Sequence, residues 1–401
     1  MNSLRLNYSV RRWDVLLGVV GQAIGLRRSG LVHPCDFARK ITQGPQPNTR
    51  CDRPMGCPVG QNPACRSSSR GLTLAGIANA IVLAQRASTA RSQYNELMQL
   101  TGVFAPLPTP FDTAGALDIA RLRAALPRWI ESPLTGFVVL GTNGEAGLLT
   151  DEEAERVIGE TRSLVPAGRP LIAGTAREST AAAVTAARRA ASLGADAVLV
   201  RTPCFFKGLM NRATFERHYS AIADASPVPV LLYNFTAATG VNLQPDVVAQ
   251  LAQHPNIVGI KESGSDIAQI ADLVSLTPPA FAVLAGSAST FCAALCAGVS
   301  GGILALAGLL PEACVRLFQL TQDGRYNDAR ALQRQLLPLA RLISTGFGVP
   351  GLKAALALSG IDAGLPRLPL DPVSDAGKES IRSALEEVCA KQGRLTGCLI
   401  A

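Results

Sequence analysis

Residues 255–266 read PNIVGIKESGSD, an apolar β-rich run of Ile257, Val258 and Ile260 that stops abruptly at the charge of Lys261. The chain is sparing with lysine. Lys40, Lys207, Lys261, Lys353, Lys378 and Lys391 are all it has, and its other cations are arginines. Solvated faces are therefore built with Arg, and a Lys at the end of a buried strand needs its own explanation. Two readings are open: a salt-bridge partner, or a desolvated amine that gives up its proton readily and attacks a carbonyl to form a Schiff base.

The run is one of eight. Outward from it lie 102–107 (GVFAPL), 136–141 (GFVVLG), 170–175 (PLIAGT), 196–202 (DAVLVRT), 229–234 (PVLLYN), 257–262 itself, 281–287 (FAVLAGS) and 301–306 (GGILAL). Helical patterns separate them. Leu117 to Ile130 is one; Asp151 to Leu164 is another, opened by Thr150 with Glu153 three residues on, the spacing of a capping box. Glu178 to Leu193 is Ala-rich and unbroken. Eight β runs, each followed by a helix, predict an α/β fold, the (β/α)8 TIM barrel. The competitor, a doubly wound open sheet, usually has fewer strands, and no GxGxxG follows the first run. The expected organisation is an N-terminal extension over 1–97, a barrel over 98–322 and a C-terminal helical segment over 323–401.

A barrel puts chemistry at the C-terminal ends of its strands. The unusual polar residues fall there: Thr109, the GTNGE stretch Gly141 to Glu145, Thr202, Tyr233-Asn234, Lys261-Glu262-Ser263 and Gly286-Ser287. Lys261 and Tyr233 then come from adjacent strands, ~4.8 Å apart, and converge on one small substrate. A neutral Lys261 amine attacks the ketone of a 2-oxo acid, and the resulting iminium is an electron sink for making or breaking the neighbouring C–C bond. Tyr233 is placed for the accompanying proton transfers; a buried phenol bonded to backbone is the plain alternative. The GTNGE glycines let backbone N–H groups approach a carboxylate near a helix N-terminus, although an ordinary βα turn has the same composition and Glu145 then only braces it. No metal ligand set is expected: His33, His218 and His254 are the only histidines, without ligand spacing.

Bulk composition narrows the classes. Of 38 Lys+Arg and 30 Asp+Glu, residues 1–100 hold 13 and 4, a charge of +9, leaving 25 and 26, or −1, for residues 101–401. The barrel part carries no basic stripe for nucleic acid. No apolar run reaches transmembrane length; Val15 to Gly25 is too short. Cys35, Cys51, Cys57 and Cys65 lack CxxC spacing. Cys204, Cys292, Cys296, Cys314, Cys389 and Cys398 read mostly as small core residues, which fits a reducing, cytoplasmic setting. Residues 1–97 are rich in Arg, Ser, Pro, Gly and Cys, with a loose apolar pattern over 71–97. Three readings compete for them: an organellar transit segment, an accessory module, or a translated upstream region with Met98 as the natural start, which is favoured because regular structure begins at once after Met98.

Together these motifs carry a resemblance. FAPLPTPFD, GFVVLGTNGEAGLLTDEE, GADAVLVRTP, PVPVLLYNFTAATG, NIVGIKESG, VLAGS and GGILALAG occur in order, and residues 98 to about 390 resemble the dihydrodipicolinate synthase and N-acetylneuraminate lyase family of Schiff-base aldolases. The resemblance implies Lys261 as Schiff-base lysine, Tyr233 as proton shuttle, Thr142 in the relay, the Thr142–Asn143 backbone and that of Ile303 seating the pyruvoyl carboxylate, and a homo-oligomer, tetramer or dimer. Asn143 and Ser263 are candidates for a distal carboxylate or hydroxyl, and Gly286 joins them as a substrate-binding position. No cofactor is implied beyond the covalent Schiff base.

Within the family, TPCFF followed by Lys207-Gly208, SPVPVLLYN, QHPNIVGIKESG and FGVPGLK resemble the 4-hydroxy-2-oxoglutarate aldolase subgroup. Three departures argue against the synthase: Asn143 replaces the second Thr of GTTGE, Ala238 stands where YNxPxRTG has its Arg, and GVPGLK replaces NPIPVK. Phe205 and Phe206 occupy a loop where the family commonly has a relay Tyr, and Phe has no hydroxyl. Thr236 replaces a Pro, which predicts a looser strand-five loop. The expected function is a metal-free lyase that cleaves a 4-hydroxy-2-oxo acid to pyruvate and an aldehyde, with 4-hydroxy-2-oxoglutarate as best candidate, 4-hydroxy-tetrahydrodipicolinate synthase as alternative, and a non-catalytic 2-oxo-acid-binding barrel as the lesser one.

Overall fold

Eight parallel strands close into a barrel in sequence order, β1 to β8, with β8 pairing back onto β1. They are β1 (Gly102–Pro106), β2 (Gly136–Val139), β3 (Leu171–Gly174), β4 (Ala197–Arg201), β5 (Val230–Asn234), β6 (Ile257–Glu262), β7 (Ala282–Ala285) and β8 (Gly301–Ile303). The structure, a computed structural model, describes residues 100–392. The expectations for 1–97 and for Cys398 lie outside these residues.

All eight β runs form strands, most of them shorter than the apolar runs that announced them. Side chains alternate between two apolar environments, which is why the runs read as continuous hydrophobics. One set fills the barrel: Phe104, Val138, Ile172, Ala197, Leu199, Leu231, Tyr233, Ala282, Leu284 and Ile303. The other, including Val103, Phe137, Val139, Val198, Val200, Leu232, Ile260 and Val283, packs under the helices. Each fully buried aliphatic side chain contributes about 1.5–3 kcal/mol.

The helices start where local signals place them. Ile119–Ile130 begins after Asp118, whose carboxylate accepts from Arg121 N. Asp151–Leu164 has the full capping box, Thr150 and Glu153 bonding each other's backbone N–H. Thr180–Ser192 is capped by Ser179, two residues later than the Ala-rich pattern suggests, because Ser179 satisfies the orphan N–H groups. Trp129 Nε1 donates to Gly308 O at 2.8 Å, tying the first helix to the segment after β8. Beyond β8 the chain is helical: Pro311–Gln322, Tyr326–Arg341, a π-helical turn at Leu342–Gly346, Gly348–Leu358 and Asp375–Gln392.

Two expectations need correction. The core reading of the cysteines holds for Cys292 and Cys314, but Cys296 is exposed and Cys389 is disulfide-bonded. The strand-five loop is not loose. Residues Thr236–Thr239 form a helical turn, and Thr239 Oγ1 lies 3.0 Å from both Phe235 O and Val241 O, sharing its one proton between them, and accepts from Val241 N at 3.1 Å, so side-chain bonds replace the constraint a proline would give.

Candidate active site

Tyr233 on β5 and Lys261 on β6 are direct register partners. Both point into the barrel, Tyr233 two residues beyond Leu231 and Lys261 two beyond Gly259. Gly259 has no alternative, because a Cβ there would lie 2.5 Å from Ala282 O. The Lys261 Nζ sits 4.5 Å from the centroid of the Tyr233 ring, and the two residues are 5% and 4% exposed. Among the described residues no carboxylate forms an ion pair with Lys261, which removes the plain reading of a strand-end lysine.

The next residue explains why. Glu262 points to the opposite face of β6 and is held there by Asn234 Nδ2 at 2.7 Å, Gln269 Nε2 at 3.0 Å and Gly264 N at 2.6 Å. Burial pushes its carboxyl above the usual range, opposed by the Asn234, Gly264 and Gln269 bonds. The Asn234 side-chain oxygen Oδ1 accepts from Leu243 N at 3.0 Å. This polar girdle fixes the ends of β5 and β6, and thereby the positions of Tyr233 and Lys261.

The Tyr233 hydroxyl lies 3.0 Å from Thr142 Oγ1, so the phenol is bonded to a side chain of the GTNGE loop rather than to backbone. That loop is a turn between strand and helix, as the sequence suggested. A 3-10 turn, Ala146–Leu148, intervenes before the helix at Asp151. Its backbone turns through two left-handed non-glycine residues, Leu140 at φ 57° and Glu145 at φ 53°; such conformations cost on the order of 1–3 kcal/mol each and persist only where the surroundings enforce them. Gly174 makes room, since a Cβ on it would meet the Leu140 carbonyl oxygen at 1.8 Å. Thr109 Oγ1 donates to Gly144 O at 2.7 Å. The N–H groups of Thr142 and Asn143 have no acceptor among the described residues, whereas those of Gly144 and Glu145 close back onto Gly141 and Thr142.

Glu145 is the brace, and its partner came from far along the chain. Its carboxylate meets Lys353 Nζ at 2.6 Å with both side chains almost wholly buried, and it accepts from Arg367 N at 2.8 Å. Lys353 also donates to Thr109 O and Leu365 O, both at 2.7 Å. The C-terminal helical segment thus locks the strand-two loop from behind.

A cavity of about 890 Å³ opens above the strand ends. Thr142, Arg177, Leu199, Arg201, Tyr233 and Ala238 line it, with Phe347–Pro350 and Pro369–Asp371 contributing from the tail. Lys261 does not line this cavity; it lies against the Tyr233 ring. Ser263 and Gly286 touch each other at the ends of β6 and β7, where a Cβ on Gly286 would strike Ser263 Oγ at 2.0 Å. They and Asn143 are half-buried, and Ile303 is fully buried on β8. None of these four lines the cavity. Phe205 and Phe206 are 78% and 63% exposed, edge to face at 4.9 Å, and neither lines the cavity. Arg201 lies in the motif GADAVLVRTP, and Lys353 and Phe347–Pro350 lie in FGVPGLK, but the sequence assigned no role to any of them, nor to Pro369–Asp371.

Residues 99–388 match the Dihydrodipicolinate synthetase family. The 4-hydroxy-tetrahydrodipicolinate synthase of Exiguobacterium sp. is 35% identical over 287 residues, 72% of this chain and 97% of that protein. Its counterpart from Xanthomonas axonopodis pv. citri is 38% identical over 279 residues, 70% of this chain and 91% of that protein. Among solved structures, the 4-hydroxy-tetrahydrodipicolinate synthase of Methylacidiphilum fumariolicum superposes with a TM-score of 0.70 at 31% identity, covering 74% of this chain and 98% of that one. A prophage protein of the dihydrodipicolinic acid synthase family from E. coli K12, solved in complex with pyruvate, gives a TM-score of 0.68 at 28% identity, over 72% of this chain and 98% of that one. Fold, strand-end residues and relatives agree: the chain belongs to the dihydrodipicolinate synthetase family of pyruvate-dependent carbon–carbon lyases.

Proposed function

We propose that the protein condenses pyruvate with an aldehyde, or runs the cleavage in reverse, through a Schiff base on Lys261. The observation that carries this reading is the inward, carboxylate-free Lys261 amine 4.5 Å from the ring of Tyr233, whose hydroxyl is bonded to Thr142. The unprotonated amine attacks C2 of pyruvate, and a carbinolamine forms. Tyr233, relayed by Thr142, supplies the proton with which the C2 hydroxyl leaves as water. The iminium then draws electrons from C3. Loss of a C3 proton gives an enamine, which adds to the aldehyde carbon; water finally releases the product from Lys261. In this reading the unsatisfied N–H groups of Thr142 and Asn143 hold the pyruvate carboxylate, together with the Ile303 backbone, and Ser263, Gly286 and Asn143 are assigned to substrate contacts beyond it. The enzyme works as a homo-oligomer and needs no cofactor other than this covalent link.

For the aldehyde, the names of the relatives favour aspartate semialdehyde and hence 4-hydroxy-tetrahydrodipicolinate synthase activity, the reading that sequence alone ranks second. Ala238 supports the other reading, 4-hydroxy-2-oxoglutarate to pyruvate and glyoxylate, because it lines the cavity with a methyl group where a cation is usual in the synthase. Pyruvate condensation with aspartate semialdehyde and cleavage of 4-hydroxy-2-oxoglutarate, measured side by side on wild type and Lys261→Ala, test both. The proposal requires at least one activity, abolished by Lys261→Ala; activity that survives in Lys261→Ala contradicts it.

A further inference from the structure

Strand β4 carries a charge on a face that otherwise carries hydrocarbon. Ala197 and Leu199 point into the barrel, and Arg201, two residues on, shares their face. Its Cα is in register with that of Tyr233, and its side chain lines the same cavity as Tyr233, Thr142 and Ala238. A guanidinium there is only partly spent. Nη1 donates to Thr202 O at 2.8 Å and to Cys204 Sγ at 3.0 Å, and Nη2 to Glu178 Oε1 at 3.2 Å. These are three of the five N–H donors of an arginine. The Nε–H and one Nη2–H have no partner among the described residues.

Glu178 does not consume the rest. Its other oxygen is fixed by the N–H groups of Cys204 and Phe205, both at 2.9 Å, so it stays beside the strand-four loop. The other arginine lining the cavity, Arg177, is clamped onto Asp151 through Nε and Nη2 at 3.1 and 2.6 Å. The planar fork of an arginine in a sheltered cavity fits a carboxylate better than any neutral group. The carboxylate of pyruvate already has its own seat at the Thr142 and Asn143 N–H groups. An anion at Arg201 therefore belongs to the second substrate.

We propose that Arg201 is a specificity-determining residue that binds the acidic group of the aldehyde partner, so that the enzyme takes aldehydes bearing a carboxylate and discriminates against neutral ones. The proposal rests on the pyruvate-lyase reading and deepens it: aspartate semialdehyde and glyoxylate both satisfy it, whereas a neutral hydroxyaldehyde does not.

The test compares pyruvate condensation with glyoxylate, aspartate semialdehyde and glycolaldehyde, the neutral counterpart of glyoxylate. The enzymes are wild type, Arg201→Met, Arg201→Lys and Arg177→Met, each also reduced with borohydride in the presence of pyruvate. Wild type is expected to prefer an acidic aldehyde. Arg201→Met is expected to lower kcat/KM for it by about 10–100-fold, mainly through KM, and to leave the glycolaldehyde rate and the Lys261 adduct in place. Arg201→Lys restores part of the loss, and Arg177→Met leaves the ratio alone. Equal losses for acidic and neutral aldehydes, no loss, a wild type without acid preference or turning over neither acid, or a ratio that follows Arg177 instead, each overturn the proposal while the adduct keeps the lyase reading standing. A wild type that forms no adduct removes both.

Discussion

Lys353→Met is the substitution whose consequence the structure defines most sharply. It deletes one member of an ion pair with Nζ–Oε1 2.6 Å and side-chain exposures of 2% and 1%. The Glu145 carboxylate then keeps a single backbone donor, Arg367 N, and the carbonyls of Thr109 and Leu365 lose theirs. Removing one partner of a buried pair costs about 3–5 kcal/mol, because the other charge is left in a medium that cannot solvate it. Against a total stability of about 5–15 kcal/mol that is a large fraction. Glu145→Gln on top of Lys353→Met removes the stranded charge and is expected to recover about half of the loss, a coupling of at least ~1.5 kcal/mol in the double-mutant cycle. The assay is urea unfolding followed by far-UV circular dichroism, with linear extrapolation and one protein concentration throughout, so that association does not enter the comparison. Activity should fall too, since Glu145 holds the left-handed turn that positions Thr142 against Tyr233. A Lys353→Met protein within ~1 kcal/mol of wild type, with no coupling to Glu145→Gln, would refute the argument that this pair locks the loop.

Two further outcomes follow from the geometry. Tyr233→Phe keeps the ring beside Lys261 and deletes only the hydroxyl bonded to Thr142, so turnover should drop ~10²–10⁴-fold while the pyruvate adduct still forms slowly; unchanged turnover would remove Tyr233 from the relay. His218 is buried, with Nδ1 2.9 Å from Thr180 Oγ1 and no partner for Nε2 among the described residues, and burial lowers its pKa from 6.5 to about 4 against the opposing pull of Glu178. Between those values the unfolded chain binds the proton first, so stability is full above pH 6.5 and is lost as pH falls toward 4. In His218→Gln the drop in melting temperature between pH 7 and pH 4.5 should shrink; an equal drop in both proteins would show that other groups control acid unfolding.

The barrel was legible because parallel strands buried on both faces leave unmistakable apolar runs, and because Thr150 with Glu153 marks a helix start with a capping box. Lys261 and Tyr233 were legible for a related reason, since a polar residue that ends such a run has few structural excuses. Glu145 was visible as a carboxylate in a tight turn, but nothing local names Lys353 as its partner; only the docking of the tail brings them together. Arg201 escaped for a different reason. Arginine is the ordinary surface cation of this chain, so an arginine at a strand end looks solvated until the register shows it on the face shared with Leu199. That Lys261 lies against the Tyr233 ring, rather than in the cavity wall, is likewise a property of side-chain packing that spacing does not carry.

The central claim is covalent chemistry at one amine. Borohydride reduction of the protein with pyruvate, followed by proteolysis and peptide mass mapping, should place a single reduced pyruvyl adduct on the peptide containing Lys261, with none in Lys261→Ala. Unmodified Lys261 under these conditions, or an adduct on another lysine, contradicts the account.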